Sequence, residues 1–131
     1  MRIKQISVFV SNEPGRLVSV LKPIFDNQIN IRALSVADTA DFGIIRMVVS
    51  DTEGAVKALH DAGFTLRVNE LLAYDMPNVP GGLLKAIAEP LAEAGINLEY
   101  FYAFLQSEVG KALVVLKVND PERAERILGS D

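Results

Sequence analysis

The chain contains no cysteine in 131 residues, which excludes a disulfide, a thiolate nucleophile and a cysteine-ligated metal. Its single histidine, His60, stands beside Asp61 with no motif-marked serine near it, and the acid pairs Asp38 with Asp41 and Glu89 with Glu93 fall in no metal-ligand pattern. Basic residues form no block: 13 Lys and Arg face 17 Asp and Glu, so the electrostatic footprint of a nucleic-acid binder is missing. No stretch resembles a signal peptide or a membrane span, so the expected compartment is the cytoplasm, with neither membrane nor nucleic acid as partner. What is present is ordinary globular material, 50% hydrophobic and 23% charged, too apolar for a disordered chain.

The sequence repeats itself. Pro23, Asn30 and Gly43 recur at the same spacing as Pro90, Asn97 and Gly110, Ile29-Asn30-Ile31 recurs as Ile96-Asn97-Leu98, and Asn12-Glu13-Pro14-Gly15 recurs as Asn78-Val79-Pro80-Gly81. The offset is 66 at the first motif and 67 afterwards, which places a one-residue gain at Gly81-Gly82. So long a period lies outside the solenoid range and marks two units, residues 1–69 and 70–131. Units of about 65 residues bury little surface, so they are expected to lean on each other or on a second chain.

Each copy reads as βαββαβ. Ile3 to Ser11 is a strand, broken at Asn12-Glu13-Pro14-Gly15 where a helix starts with Leu17, Val18, Leu21, Ile24 and Phe25 on one face. Asn30 to Ala37 and Gly43 to Val49 form a hairpin about an Asp38 to Phe42 turn, and Asp51-Thr52-Glu53 caps a second helix carrying Val56, Leu59 and Ala62. Thr65 to Asp75 is too short for two strands and a loop, so one extended segment should serve both units. The second copy continues with a helix from Pro80 to Ala94, a hairpin across Gln106 to Val109 and a helix after Asp120-Pro121, and lacks its last strand. Pro23 and Pro90, interior to their helices, predict a kink or early unwinding. Apolar residues on both parities from Leu98 to Leu105 and from Ala112 to Leu116 predict that both sheet faces are covered.

This arrangement resembles the ACT domain, a regulatory module that binds amino acids, and is most similar to stand-alone proteins made of two tandem ACT domains with the ferredoxin-like α+β fold. The resemblance implies a regulatory, allosteric protein that is not an enzyme and needs no cofactor. It also implies an amino-acid ligand held where two domains abut, between the loop after the first strand and the start of the second. By position the ligand-binding residues are then Asn12, Pro14, Gly15 and Asn30 in one copy and Asn78, Pro80, Gly81 and Asn97 in the other. The chemistry agrees: a helix amino terminus offers unpaired N–H groups to a carboxylate, and asparagine offers both donor and acceptor to a zwitterion. Asparagine beside Pro-Gly is also an ordinary turn and cap residue. The expected assembly is a homodimer or higher oligomer. Two rival readings stand: a ligand-independent regulatory subunit of a metabolic enzyme such as an amino-acid biosynthetic synthase or kinase, and a small isomerase using His60 or a carboxylate.

Overall fold

The computed structural model describes residues 1–38, 41–105 and 109–129. Its elements are β1 (Arg2–Ser11), α1 (Arg16–Asp26), β2 (Ile31–Asp38), β3 (Phe42–Val49), α2 (Thr52–Asp61) and β4 (Thr65–Pro77), then a π-helical turn (Leu84–Ala88) running into α3 (Glu89–Glu93), β5 (Leu98–Ala103), β6 (Lys111–Val118) and α4 (Pro121–Leu128). The chain divides into two compact units, Lys4–Asn69 and Met1–Ile3 with Glu70–Asp131. The expected continuous extended segment is β4, whose residues to Asn69 fall in the first unit and the remainder in the second.

In the first unit the strand order is β2-β3-β1-β4, with β3 antiparallel to both β1 and β2. Strand alternation sends Ile6, Val8, Ile45, Met47 and Val49 to one face, where Val20 and Ile24 of α1 and Ala55 and Leu59 of α2 close the core. The α1 face is narrower than its apolar residues suggest. Val20 and Ile24 are buried, whereas Val18 and Phe25 of the expected face are 67% and 78% exposed, because five apolar positions span more of the helix circumference than one sheet covers. On α2 the buried pair is Ala55 and Leu59, and Ala62 lies exposed past the helix end. Asp51 caps α2 by accepting from the Gly54 N–H at 3.0 Å. Despite Pro23, α1 continues to Asp26 without unwinding.

The second unit repeats the plan in the order β5-β6-β4, with Met1 and the first β1 residues, Arg2 and Ile3, on the other side of β4. The Met1 carbonyl accepts from the Ala73 N–H at 2.8 Å. The chain's own first residues thus sit beside β4 where no strand follows α4 among the described residues. Arg2 is anchored in this unit by Glu125, Nε to Oε2 at 3.2 Å, a pairing that raises the guanidinium pKa further. Asp120 caps α4 through the Arg123 N–H at 3.2 Å, with Pro121 at the first turn.

The two cores correspond residue by residue, but through three offsets. Ile6 and Val8 match Leu72 and Tyr74 at an offset of 66, Val20 and Ile24 match Ile87 and Leu91 at 67, and Ile45, Met47, Val49 and Ala55 match Val114, Leu116, Val118 and Ala124 at 69. The first change relocates the one-residue gain. Around the loops the hydrogen bonds stay at 66: Arg16 N–H to Glu13 O parallels Gly82 N–H to Val79 O, and Ser19 N–H to Gly15 O parallels Lys85 N–H to Gly81 O. The extra residue therefore lies beyond Lys85, not at Gly81-Gly82, and the π-helical turn absorbs it, with the Glu89 N–H bonding back five residues to Leu84 O. The second change falls between β5 and β6, where 106–108 of the expected hairpin lie outside the described residues. It also separates Gly43 from Gly110: Gly43 is within β3 opposite Val10, whereas Gly110 is in the turn before β6 with φ 79°.

Both parities of β6 are buried within the chain, with Val115 0% and Leu116 1% exposed, but along β5 and just past its end the expectation fails: Phe101, Ala103 and Leu105 share one parity and all three are exposed. The apolar-parity argument for self-association therefore narrows to these exposed residues. Two outcomes follow from the packing. Deleting Ala86 should turn the π-helical turn into regular helix while leaving Ile87 and Leu91 on the sheet, and the protein should stay folded; deleting Lys22 from α1, which has no π turn to absorb the shift, should cost several kcal/mol in chemical denaturation. Leu116→Ala should cost about 2–5 kcal/mol.

Candidate functional site

The loop from Asn12 to Gly15 carries the site. Ser11 ends β1 opposite Phe42, and the chain turns with Gly15 at φ 87°, a left-handed conformation in which a β-carbon is strained. Gly81 repeats it at φ 80°. Gly15 gives α1 no side-chain cap, so the first turn's N–H groups point into the loop region.

Arg16 follows directly, and here the two copies part. Its Nη1 donates to Asn12 Oδ1 and its Nη2 lies 2.6 Å from Asp38 Oδ1, with the arginine side chain only 17% exposed and Asp38 46%. Asp38 closes β2 opposite Gly43, and a β-carbon on Gly43 would fall 2.8 Å from Asp38 Oδ1 and 3.2 Å from Arg16 Nη1. Glycine at 43 therefore makes room for the ion pair. Beside the pair, Phe9, Val10, Pro14, Gly15, Arg16 and Phe64 help line a cleft of about 390 Å³ with Ser11, Glu13, Ser19, Gly63 and Thr65. Asn12 lines a second, more open groove that shares Glu13, Pro14, Gly15 and Arg16 with the cleft and adds Leu17 and Val18. Arg16 brings a cation to a mixed lining of polar groups and the apolar side chains of Phe9, Val10, Pro14 and Phe64, while Asp38 holds the guanidinium from outside that lining, an arrangement that suits a carboxylate.

The second loop is built differently at the same register. The residue after Gly81 is Gly82, buried, and a β-carbon there would lie 2.0 Å from the Pro77 carbonyl oxygen, so no other side chain fits. The Asn78 N–H instead bonds the Gly110 carbonyl at 2.9 Å.

Asn30 and Asn97 occupy the opposite end of each sheet. β3 runs from Phe42 beside Ser11 to Val49 beside Ile31, so roughly 20 Å of strand separates the Asn12 loop from Asn30. Their backbones are clasped in matching ways. The Asn30 N–H donates to Ser50 Oγ at 3.0 Å and its carbonyl accepts from the Ser50 N–H at 2.9 Å, while Asn97 and Asn119 do the same through Asn119 Oδ1 at 3.0 Å and the Asn119 N–H at 3.2 Å. Both asparagines are exposed. A unit taken alone thus brings Asn12, Pro14 and Gly15 together, and separately Asn78, Pro80 and Gly81, but neither set with its strand asparagine. Sequence reasoning missed Arg16; the available signal was a cation immediately after Pro-Gly, facing an acidic turn and lacking a counterpart in the repeat.

His60 is exposed on α2 and borders a groove with Lys4, Val56, Lys57 and Val68. The neighbouring Asp61 carboxyl is held below its usual range by its hydrogen bond to Lys57 Nζ at 2.8 Å. Among the described residues no group of three His, Cys, Asp or Glu could hold a metal, and no helix is long and apolar enough to cross a membrane.

The family model described as an ACT domain pair matches residues 1–130. The chain belongs to the ACT domain pair family. No curated protein sequence matches it. Among solved structures this ACT pair is similar to protein BT0572 from Bacteroides thetaiotaomicron, with 36% identity and a TM-score of 0.88 over 98% of this chain and 87% of that one. It also resembles, in fold alone, the ligand-free regulatory subunit of aspartate kinase from Thermus thermophilus, at 14% identity and a TM-score of 0.67 over 95% of this chain and 89% of that one. For the ACT pair the geometry around Gly43 gives a test that changes no charge. Gly43→Ala should fold, with a loss below about 1 kcal/mol because the clash is with the ends of two side chains, yet displace Arg16 from Asp38. Arginine side-chain NMR signals unchanged from the parent would contradict that geometry.

Proposed function

We propose that the protein is an amino-acid-responsive regulator: two ferredoxin-like copies, residues 1–69 and 70–131, that bind a small amino acid at ACT-domain interfaces and alter their packing in response. The proposed ligand contacts are Asn12, Pro14, Gly15 and Asn30 with their counterparts Asn78, Pro80, Gly81 and Asn97. The observation that carries the reading is the cleft beside Gly15, which Arg16 lines while Asp38 holds its guanidinium at 2.6 Å. Membership of the ACT domain pair family supports it. Because loop and strand asparagines lie at opposite ends of a unit, a site using both draws them from different domains, which fits an oligomer, a homodimer or larger. We assign no catalytic role: His60 is exposed and no organised nucleophile stands by it.

A second reading, a regulatory subunit that partners a metabolic enzyme without a ligand of its own, is favoured by the Thermus thermophilus structure, which by its name is the regulatory subunit of an enzyme. The cytoplasm is the proposed compartment under either reading. Thermal-shift screening against the twenty amino acids separates the two. A ligand at a hundred times its Kd stabilises by about 2.7 kcal/mol, a shift of several degrees, whereas a flat response to all twenty would leave the ligand-independent reading. Asn30→Ala should weaken binding by about 1–3 kcal/mol with little change in the unliganded melting temperature.

A further inference from the structure

We propose that Arg16 confines ligand recognition to the first unit: the cleft beside the Asn12 to Gly15 loop takes one amino acid per chain, its carboxylate on Arg16, which Asp38 and Asn12 hold in place, while the second loop takes none. The proposal rests on the amino-acid reading above and narrows it. A guanidinium has five N–H donors in a planar fork, and here one goes to Asn12 and one to Asp38, leaving donors for a carboxylate. The ion pair with Asp38 and the hydrogen bond to Asn12 orient the fork before the ligand arrives, which lowers the entropy lost on binding.

The second loop cannot copy this. At the offset of 66 fixed by the loop hydrogen bonds, Arg16 corresponds to Gly82, where the Pro77 carbonyl leaves no space for any side chain. At the offset of 67 that holds through β5, Asp38 corresponds to Leu105, which is apolar and 68% exposed. Both charges are therefore lost together. The glycine turn that the two loops share carries no charged side chain, so charged recognition of a carboxylate falls to the arginine that only one of them has.

Titration calorimetry with the amino acid that most stabilises the parent in the thermal-shift screen tests the proposal. One ligand per chain is expected, with affinity reduced about tenfold or more in Arg16→Gln, and less in Arg16→Lys, which keeps charge without the fork, and in Asp38→Asn, which keeps the fork without the ion pair that holds it. Melting of each variant without ligand identifies any that fails to fold, and the others then decide. Two ligands per chain, or parental affinity in folded Arg16→Gln and Asp38→Asn, would overturn the confinement while leaving an amino-acid sensor intact. Failure of all twenty amino acids to shift the parent would remove the sensor reading and this inference with it.

Discussion

The phase of one helix against one sheet is the constraint on which the rest depends. Val20 and Ile24 in one copy and Ile87 and Leu91 in the other lie a turn apart and fill the same core positions. One residue added upstream of such a pair would rotate it by about 100° and turn both side chains outward. Fully burying an Ile or Leu contributes about 1.5–3 kcal/mol, so the slip would forfeit several kcal/mol. A single π-helical turn costs only poorer hydrogen-bond geometry over a few residues. The second copy takes the cheaper course. Its loop keeps the first copy's hydrogen bonds through Lys85, its core keeps the first copy's packing from Ile87 on, and the mismatch is confined between them.

The hairpin obeys the opposite rule. Two residues gained between β5 and β6 change the offset from 67 to 69 without disturbing either strand, because lengthening a surface loop costs only a fraction of a kcal/mol in closure entropy. The register survives: Asp51 and Asp120 cap their helices alike, and Ser50 and Asn119 clasp the starts of β2 and β5 alike. Substituting Ser for Asn at the clasp is tolerated since each offers an acceptor to the same N–H.

These differences set what was legible in the sequence. Strands and helices were, because alternation and capping are local: Asp51, Asp120 and Pro121 each stand where the sequence placed them. The duplication was legible too, through Asn-x-Pro-Gly and Ile-Asn. The position of the extra residue was not, because a π turn leaves no mark in composition and the glycine pair at 81 and 82 offered a simpler explanation. Gly43 and Gly110 were matched on spacing alone, yet one glycine yields space to an ion pair and the other turns the chain. The outward direction of Val18 and Phe25 was also hidden, since a helix apolar on more than one face does not declare which one packs. At the site, the loop glycines could be read, whereas Arg16 showed only as an unrepeated cation after Pro-Gly, because its partner Asp38 is 22 residues away and the β1–β3 and β2–β3 registers together bring them into contact.

Duplication thus preserves backbone geometry more faithfully than chemistry. The left-handed glycine, the turn bonds and the core behind it recur in both copies, since all three follow from the fold. The residue after that glycine answers to something else. In the first loop it stands clear of the strand end and carries a guanidinium, and in the second the strand's last carbonyl closes on the backbone and admits no side chain. Arg16 in turn depends on glycine at 43, two elements away, and the β3 position in register with it in the second copy is Ala112. Losing the cation also removes the reason to keep that space open. The inequality of the two loops is therefore a coupled change across the loop, the β2 end and β3, reached without altering the order of a single strand.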